Sequence, residues 1–138
     1  MEPRERIIRA FSDGDGERPP AAIFTQSATV SQMDRCGAAW PEANYRADLM
    51  ARLALESSMS FGFPTVRVPF SITAEAQSLG CGIRDCGKSS QPMVVGSPYR
   101  DSGAVPDVPD MPSPEEFAAS PLIRLAPEAL RLAGRERP

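Results

Sequence analysis

Only two stretches of this 138-residue chain have the composition of strands, and helical patterns flank both. Ala21 to Phe24 is short and apolar, a buried strand by its length. Thr65 to Val68 is rich in β-branched residues and is closed by Pro69, which removes a ladder donor. Strands that alternate with helices point to parallel βα units. Two parallel strands alone leave open edges and uncovered faces, so they do not make a stable sheet. A complete (β/α)8 barrel takes about 250 residues. The order therefore predicts an α/β chain that forms the N-terminal portion of such a barrel. A leading helix and lead-in occupy 1–20, two βα units occupy 21–95, and an extended crossing and a helix occupy 96–138, short of a third strand.

The helices are placed by their caps and apolar faces. Pro3 to Phe11 reads as a helix with Ile7, Ile8 and Phe11 on one face. A second helix starts after Ser27 or Thr29 as N-cap, carries Val30 and Met33 inward, and ends at Gly37 in the left-handed region. Trp40-Pro41-Glu42-Ala43 is a loop leading into a helix over Ala47 to Met59, whose apolar stripe is Leu49, Met50, Leu53 and Ala54. Gly62 stops that helix. A short helical turn spans Ala74 to Leu79, Arg84 to Ser90 is loop, and Met93 to Val95 is a weaker, third candidate for a short strand. Gly96 to Pro112 has no period and reads as a surface crossing. Ser113-Pro114-Glu115-Glu116 is a capping box with proline at the first helical position. The last amphipathic stretch, Leu122 to Leu132, contains Pro127. Nine of the 15 prolines lie from Pro92 onward, so this last third is expected to be poor in helix and strand.

Composition excludes several function classes. Net charge is -3, which argues against a nucleic-acid surface. No window of about 18 apolar residues predicts a membrane span, and the charged start Met1-Glu2-Pro3-Arg4-Glu5 is unlike a signal peptide. These features predict a cytoplasmic chain with neither nucleic-acid nor membrane partners. There is no histidine, and the three cysteines, Cys36, Cys81 and Cys86, fit neither a disulfide framework nor a four-ligand zinc site.

One ordered set of residues carries more. Thr25-Gln26-x-x-Thr29-Val30, Trp40-Pro41-Glu42-Ala43, Leu49-Met50-Ala51-x-Leu53-Ala54-Leu55, Val66-Arg67-Val68-Pro69-Phe70-x-x-Thr73-x-Glu75-Ala76 and Gln91-Pro92 together resemble the uroporphyrinogen decarboxylase superfamily. Within it they are most similar to the branch of methylcobamide:thiol methyltransferases that act on coenzyme M. The resemblance runs from about Arg4 to Leu132. It implies methyl transfer from a methylcobamide on a corrinoid protein to a small thiol such as coenzyme M. It also implies a zinc ion, held by a His-x-Cys pair and a later Cys in the C-terminal half, which keeps the thiol as thiolate. None of those ligands is carried by this chain. The resemblance therefore implies a piece that binds no zinc or corrinoid alone, is inactive alone, and needs the missing C-terminal half-barrel or a second chain.

Departures from the family separate its branches. The decarboxylases carry two arginines where Thr25 and Thr29 stand here, and Thr cannot pair with porphyrinogen carboxylates as Arg does. They carry an aspartate where Ser71 stands. These positions count against a decarboxylase of porphyrin synthesis, one alternative. A non-catalytic module that binds a corrinoid protein is another. Relatives usually continue Trp-Pro-Glu-Ala with His, where Asn44 stands here.

In a (β/α)8 barrel the site sits at the C-terminal ends of the strands. That rule selects Thr25, Gln26 and Thr29 after the first strand, and Arg67, Phe70, Ser71, Thr73 and Glu75 after the second. Trp40 joins them as a lid residue toward the flat corrinoid, with a competing role in a helix-entry loop whose Trp packs on the barrel. Thr29 has a competing role as a helix cap. Arg67, inside an apolar strand, is expected to be buried and paired, either with an anionic substrate or with Glu42 or Glu75.

Overall fold

The computed structural model describes residues 3–12, 21–22, 28–98 and 111–136. Six helices and one hairpin are seen among them: α1 (Pro3–Ser12), α2 (Val30–Cys36), a 3-10 turn (Glu42–Asn44), α3 (Ala47–Phe61), α4 (Ala74–Ser78), β1 (Gly82–Arg84), β2 (Met93–Gly96), α5 (Pro114–Ala119) and α6 (Pro121–Arg135).

Local chemistry sets most of the boundaries. Thr29 caps α2 through a reciprocal box: its hydroxyl accepts from the Gln32 amide at 3.2 Å, and the Gln32 side chain accepts from the Thr29 amide at 2.8 Å. Ser113 and Glu116 build the same device at the start of α5. Gly37 and Gly62 end α2 and α3 with φ of 65° and 67°, a region that costs other residues steric strain.

The core is built around α3. Its Ala47, Met50, Ala51, Leu53, Ala54 and Leu55 are all buried, and a large apolar side chain in that position contributes about 1.5–3 kcal/mol. Met33 of α2, Ala43, Trp40, Phe70 and the small residues Ala129 and Ala133 of α6 complete the cluster. Alanines on both helices let α3 and α6 approach closely. Glu56 is buried on α3, where Arg35 of α2 and Ser60 hold its carboxylate.

Three expectations are corrected. First, Thr65 to Val68 makes no strand, and the single sheet among the described residues is the antiparallel pair β1–β2. A segment becomes a strand through ladder bonds to a neighbour, and no described residue pairs with this one. Of the other expected strand, residues 21–22 are not strand, and Phe24 lies outside the described residues. Second, Arg84 is the end of β1 rather than the start of a loop. It pairs with Met93, while Ile83 pairs with Val94 and Gly82 with Gly96, so the register slips past Val95. Third, the prolines of the last third do not suppress helix. Pro114 and Pro121 sit in first turns, where no amide hydrogen is missed. Pro127 lies inside α6, exposed, and the helix runs through it because Ala129 and Ala133 anchor the opposite face on the core.

Candidate functional site

The extended segment that follows α3 brings Phe70, Ser71 and Thr73 to the start of α4. Phe70 is buried and its ring lies 6.3 Å from that of Trp40, tilted by 54°. This pair joins the loop before the 3-10 turn to the end of the extended segment, and such pairs add about 0.5–1.5 kcal/mol beyond area burial. Both rings precede or follow a proline in a cis peptide, Trp40–Pro41 and Val68–Pro69.

Behind Phe70 lies a buried hydroxyl pair. Ser71 Oγ and Thr73 Oγ1 are 3.1 Å apart, and the Thr73 amide donates to Ser71 Oγ at 3.2 Å. The serine oxygen thus takes the first free amide of the α4 turn, a local Ser/Thr motif. Neutral hydroxyls in this setting donate and accept hydrogen bonds, but they supply no charge to a polyanionic substrate.

Of the other expected site residues, only Trp40 meets this cluster, through Phe70. Thr29 is occupied by its cap. Trp40 is 6% exposed, so its ring is part of the core rather than a free face. Arg67 is exposed, not buried, and Glu75 is exposed at the start of α4. Neither joins an ion pair among the described residues. Thr25 and Gln26 lie outside the described residues.

Position 44, set aside because it lacks histidine, proves to be buried. Asn44 is 4% exposed, and neither its amide nitrogen nor its oxygen has a partner among the described residues, nor does Trp40 Nε1. Buried amides are paired in the great majority of proteins, so this turn stands out. Its sequence signal was the Trp-Pro-Glu-Ala-Asn motif itself.

The loop from Asp85 to Pro92 is tied down on two sides. The Tyr45 hydroxyl donates to Asp85 Oδ1 at 3.1 Å, and Lys88 pairs with Asp34 of α2. Burial, then the Asp85 hydrogen bond and charge, hold the Tyr45 phenol above its usual value, against a smaller opposite effect of Gln77. No group of three His, Cys, Asp or Glu that could hold a metal occurs among the described residues, and all three cysteines are free. The described residues do not fit a zinc centre.

Against known proteins, the uroporphyrinogen decarboxylase (URO-D) family model matches residues 2–135, and the chain belongs to that family. Its relatives there include methyltransferases. The methylcobamide:CoM methyltransferase MtbA of Methanosarcina acetivorans is 50% identical over 93 residues, 67% of this chain and 27% of the relative. The methylcobamide:CoM methyltransferase MtaA of Methanosarcina barkeri is 37% identical over 106 residues, 75% of this chain and 31% of the relative. A solved methyltransferase from Methanosarcina mazei superposes with a TM-score of 0.84 at 29% identity, over 100% of this chain and 40% of that one. The chain has the α/β fold of that methyltransferase over the matched part, and it spans well under half the length of these relatives. Among the described residues no helix is long and apolar enough to cross a membrane.

Proposed function

We propose that this chain is the N-terminal part of a corrinoid-dependent methyltransferase, a partial (β/α)8 barrel serving transfer of a methyl group from a methylcobamide to a thiol such as coenzyme M. The observation that carries the reading is the 50% identity to a methylcobamide:CoM methyltransferase over a stretch of 93 residues. The neutral Ser71–Thr73 pair is consistent with it, since a porphyrinogen decarboxylase needs charge there. The division into a leading helix over 1–20, two βα units over 21–95 and a crossing with helices over 96–138 belongs to the same proposal, as does a cytoplasmic setting.

In this reading Phe70 and Trp40 form the floor of the site at the end of the extended segment, and Ser71 and Thr73 fix the turn that opens it. In the same reading Arg67 and Glu75, both exposed, meet the substrate or the corrinoid protein, and Thr25, Gln26 and Thr29 join them as binding residues. Further chain is required for catalysis, because the family's zinc ligands have no counterpart in a chain without histidine. The exposed apolar side chains Phe61, Ile72, Met93, Val94 and Val95 support a reading in which such chain covers them.

A chimera tests this. The present chain replaces the matched stretch of the M. acetivorans relative, and methyl transfer from methylcobalamin to coenzyme M is followed optically. Transfer by the chimera, and none by the 138-residue chain alone, is expected. A chimera whose circular dichroism matches the parent, yet which transfers nothing, sinks the proposal.

A further inference from the structure

A cleft of about 430 Å³ lies between α1, the start of the extended segment and the C-terminal half of α6. Arg4, Ile7, Ile8, Val66, Leu130 and Gly134 line it. Phe70 and Ser71 stand at the other end of the same segment, roughly 16 Å away at about 3.3 Å per extended residue. The volume falls within the range of small-molecule sites, and the walls are apolar apart from Arg4 and Thr65.

Charge singles this cleft out. The chain is acidic overall, with a net charge of -3, yet each of the two helices that wall the cleft carries three arginines against one glutamate. Arg131 and Arg135, one helical turn apart, form the stripe beside Leu130 and Gly134. Arg4, Arg131 and Arg135 are exposed and join no ion pair among the described residues.

We infer that this cleft binds an amphiphile with an apolar tail and a single carboxylate head. The tail lies against Ile7, Ile8, Val66 and Leu130, and the head pairs with Arg4, whose planar fork matches a carboxylate. An uncharged hydrocarbon would leave the arginine without a role, and a compact polyanion would leave the apolar walls unused. The inference stands apart from the methyl-transfer reading and concerns the opposite end of the segment.

Calorimetric titration of the full chain with decanoate, kept below its aggregation concentration, tests it. Decyltrimethylammonium, with the same tail and a positive head, is the control. Saturable one-site binding of decanoate is expected, with the cation and the Arg4→Gln variant each weaker by about tenfold or more, as loss of a charge-assisted pair implies. Gly134→Leu is expected to block the cleft. A Cβ added there meets nothing within 4 Å, and removing glycine from a helix favours the fold, so circular dichroism and Tm are kept. Equal binding of the two amphiphiles, or unchanged decanoate binding in both variants, overturns the inference. So does a dimer in sedimentation that Gly134→Leu dissociates while decanoate does not bind, since a second copy then fills the cleft.

Discussion

Replacing Arg35 with alanine probes how α3 tolerates a buried carboxylate. The Glu56 side chain is 6% exposed and that of Arg35 is 52% exposed, so losing the guanidinium strands a charge that water reaches poorly. Arg35 Nη1 donates to Glu56 Oε1 at 3.1 Å and to Ser60 Oγ at 2.6 Å, and the guanidinium carbon lies 5.9 Å from the Phe61 ring centre. A hydrogen bond to a charged group contributes about 1.5–3 kcal/mol, and breaking a fully buried pair costs about 3–5 kcal/mol. The half-exposed arginine brings the first figure closer, and the exposed cation–π contact adds about 0.5–1 kcal/mol. Arg35→Ala is expected to destabilise by about 2–3 kcal/mol. In a Glu56→Gln background, where no charge is stranded, the same change is expected to cost about 1 kcal/mol. Urea unfolding followed by circular dichroism measures all four corners of the cycle at pH 7. A loss below about 0.5 kcal/mol, or equal losses in both backgrounds, would refute the reasoning, because either result means the carboxylate does not depend on its partner.

Three further outcomes are expected. Pro127→Ala restores a helix donor on the exposed side of α6 and is expected to stabilise by roughly 1–3 kcal/mol in urea unfolding; no gain would mean the helix is already distorted to suit proline. Tyr45 is expected to ionise above its usual value of 10.0 in an ultraviolet titration, and Asp85→Asn to bring the midpoint down. Because the folded value is raised, its stabilising effect is full below the unfolded value and is lost as pH rises through the folded one. The Glu116 carboxylate accepts from the Ser113 amide, which, with a smaller effect of the Ser113 side chain, lowers its carboxyl below 4.5, so an NMR titration should find it depressed, and Ser113→Ala, which keeps the amide, should reduce the shift without removing it. That contribution is present above the unfolded value and fades as pH falls through the folded one.

What the sequence determined by itself is what depends on neighbours within about four residues. The Ser113–Glu116 box, the glycine stops at 37 and 62, and the bounds of α1 and α3 were legible because a cap needs only its own turn. The family was legible too, since its motif is a string of residue types in order. Thr29 shows the limit of such reading: cap and ligand were both open from sequence, and only the reciprocal bonds with Gln32 committed it to the cap. Everything that depends on distant partners was decided by tertiary structure. Arg67 sits in an apolar stretch, yet its exposure follows from which side of the segment packs on the core, where Val66 and Val68 lie, not from its neighbours in sequence. Trp40 and Phe70 are thirty residues apart in numbering and meet only because the segment after α3 returns past the 3-10 turn. Pro127 is a helix breaker by local rule, but the contact of Ala129 and Ala133 with the core outweighs the one lost bond. A strand is likewise not a property of Thr65 to Val68, since the ladder that defines it needs a second segment beside it.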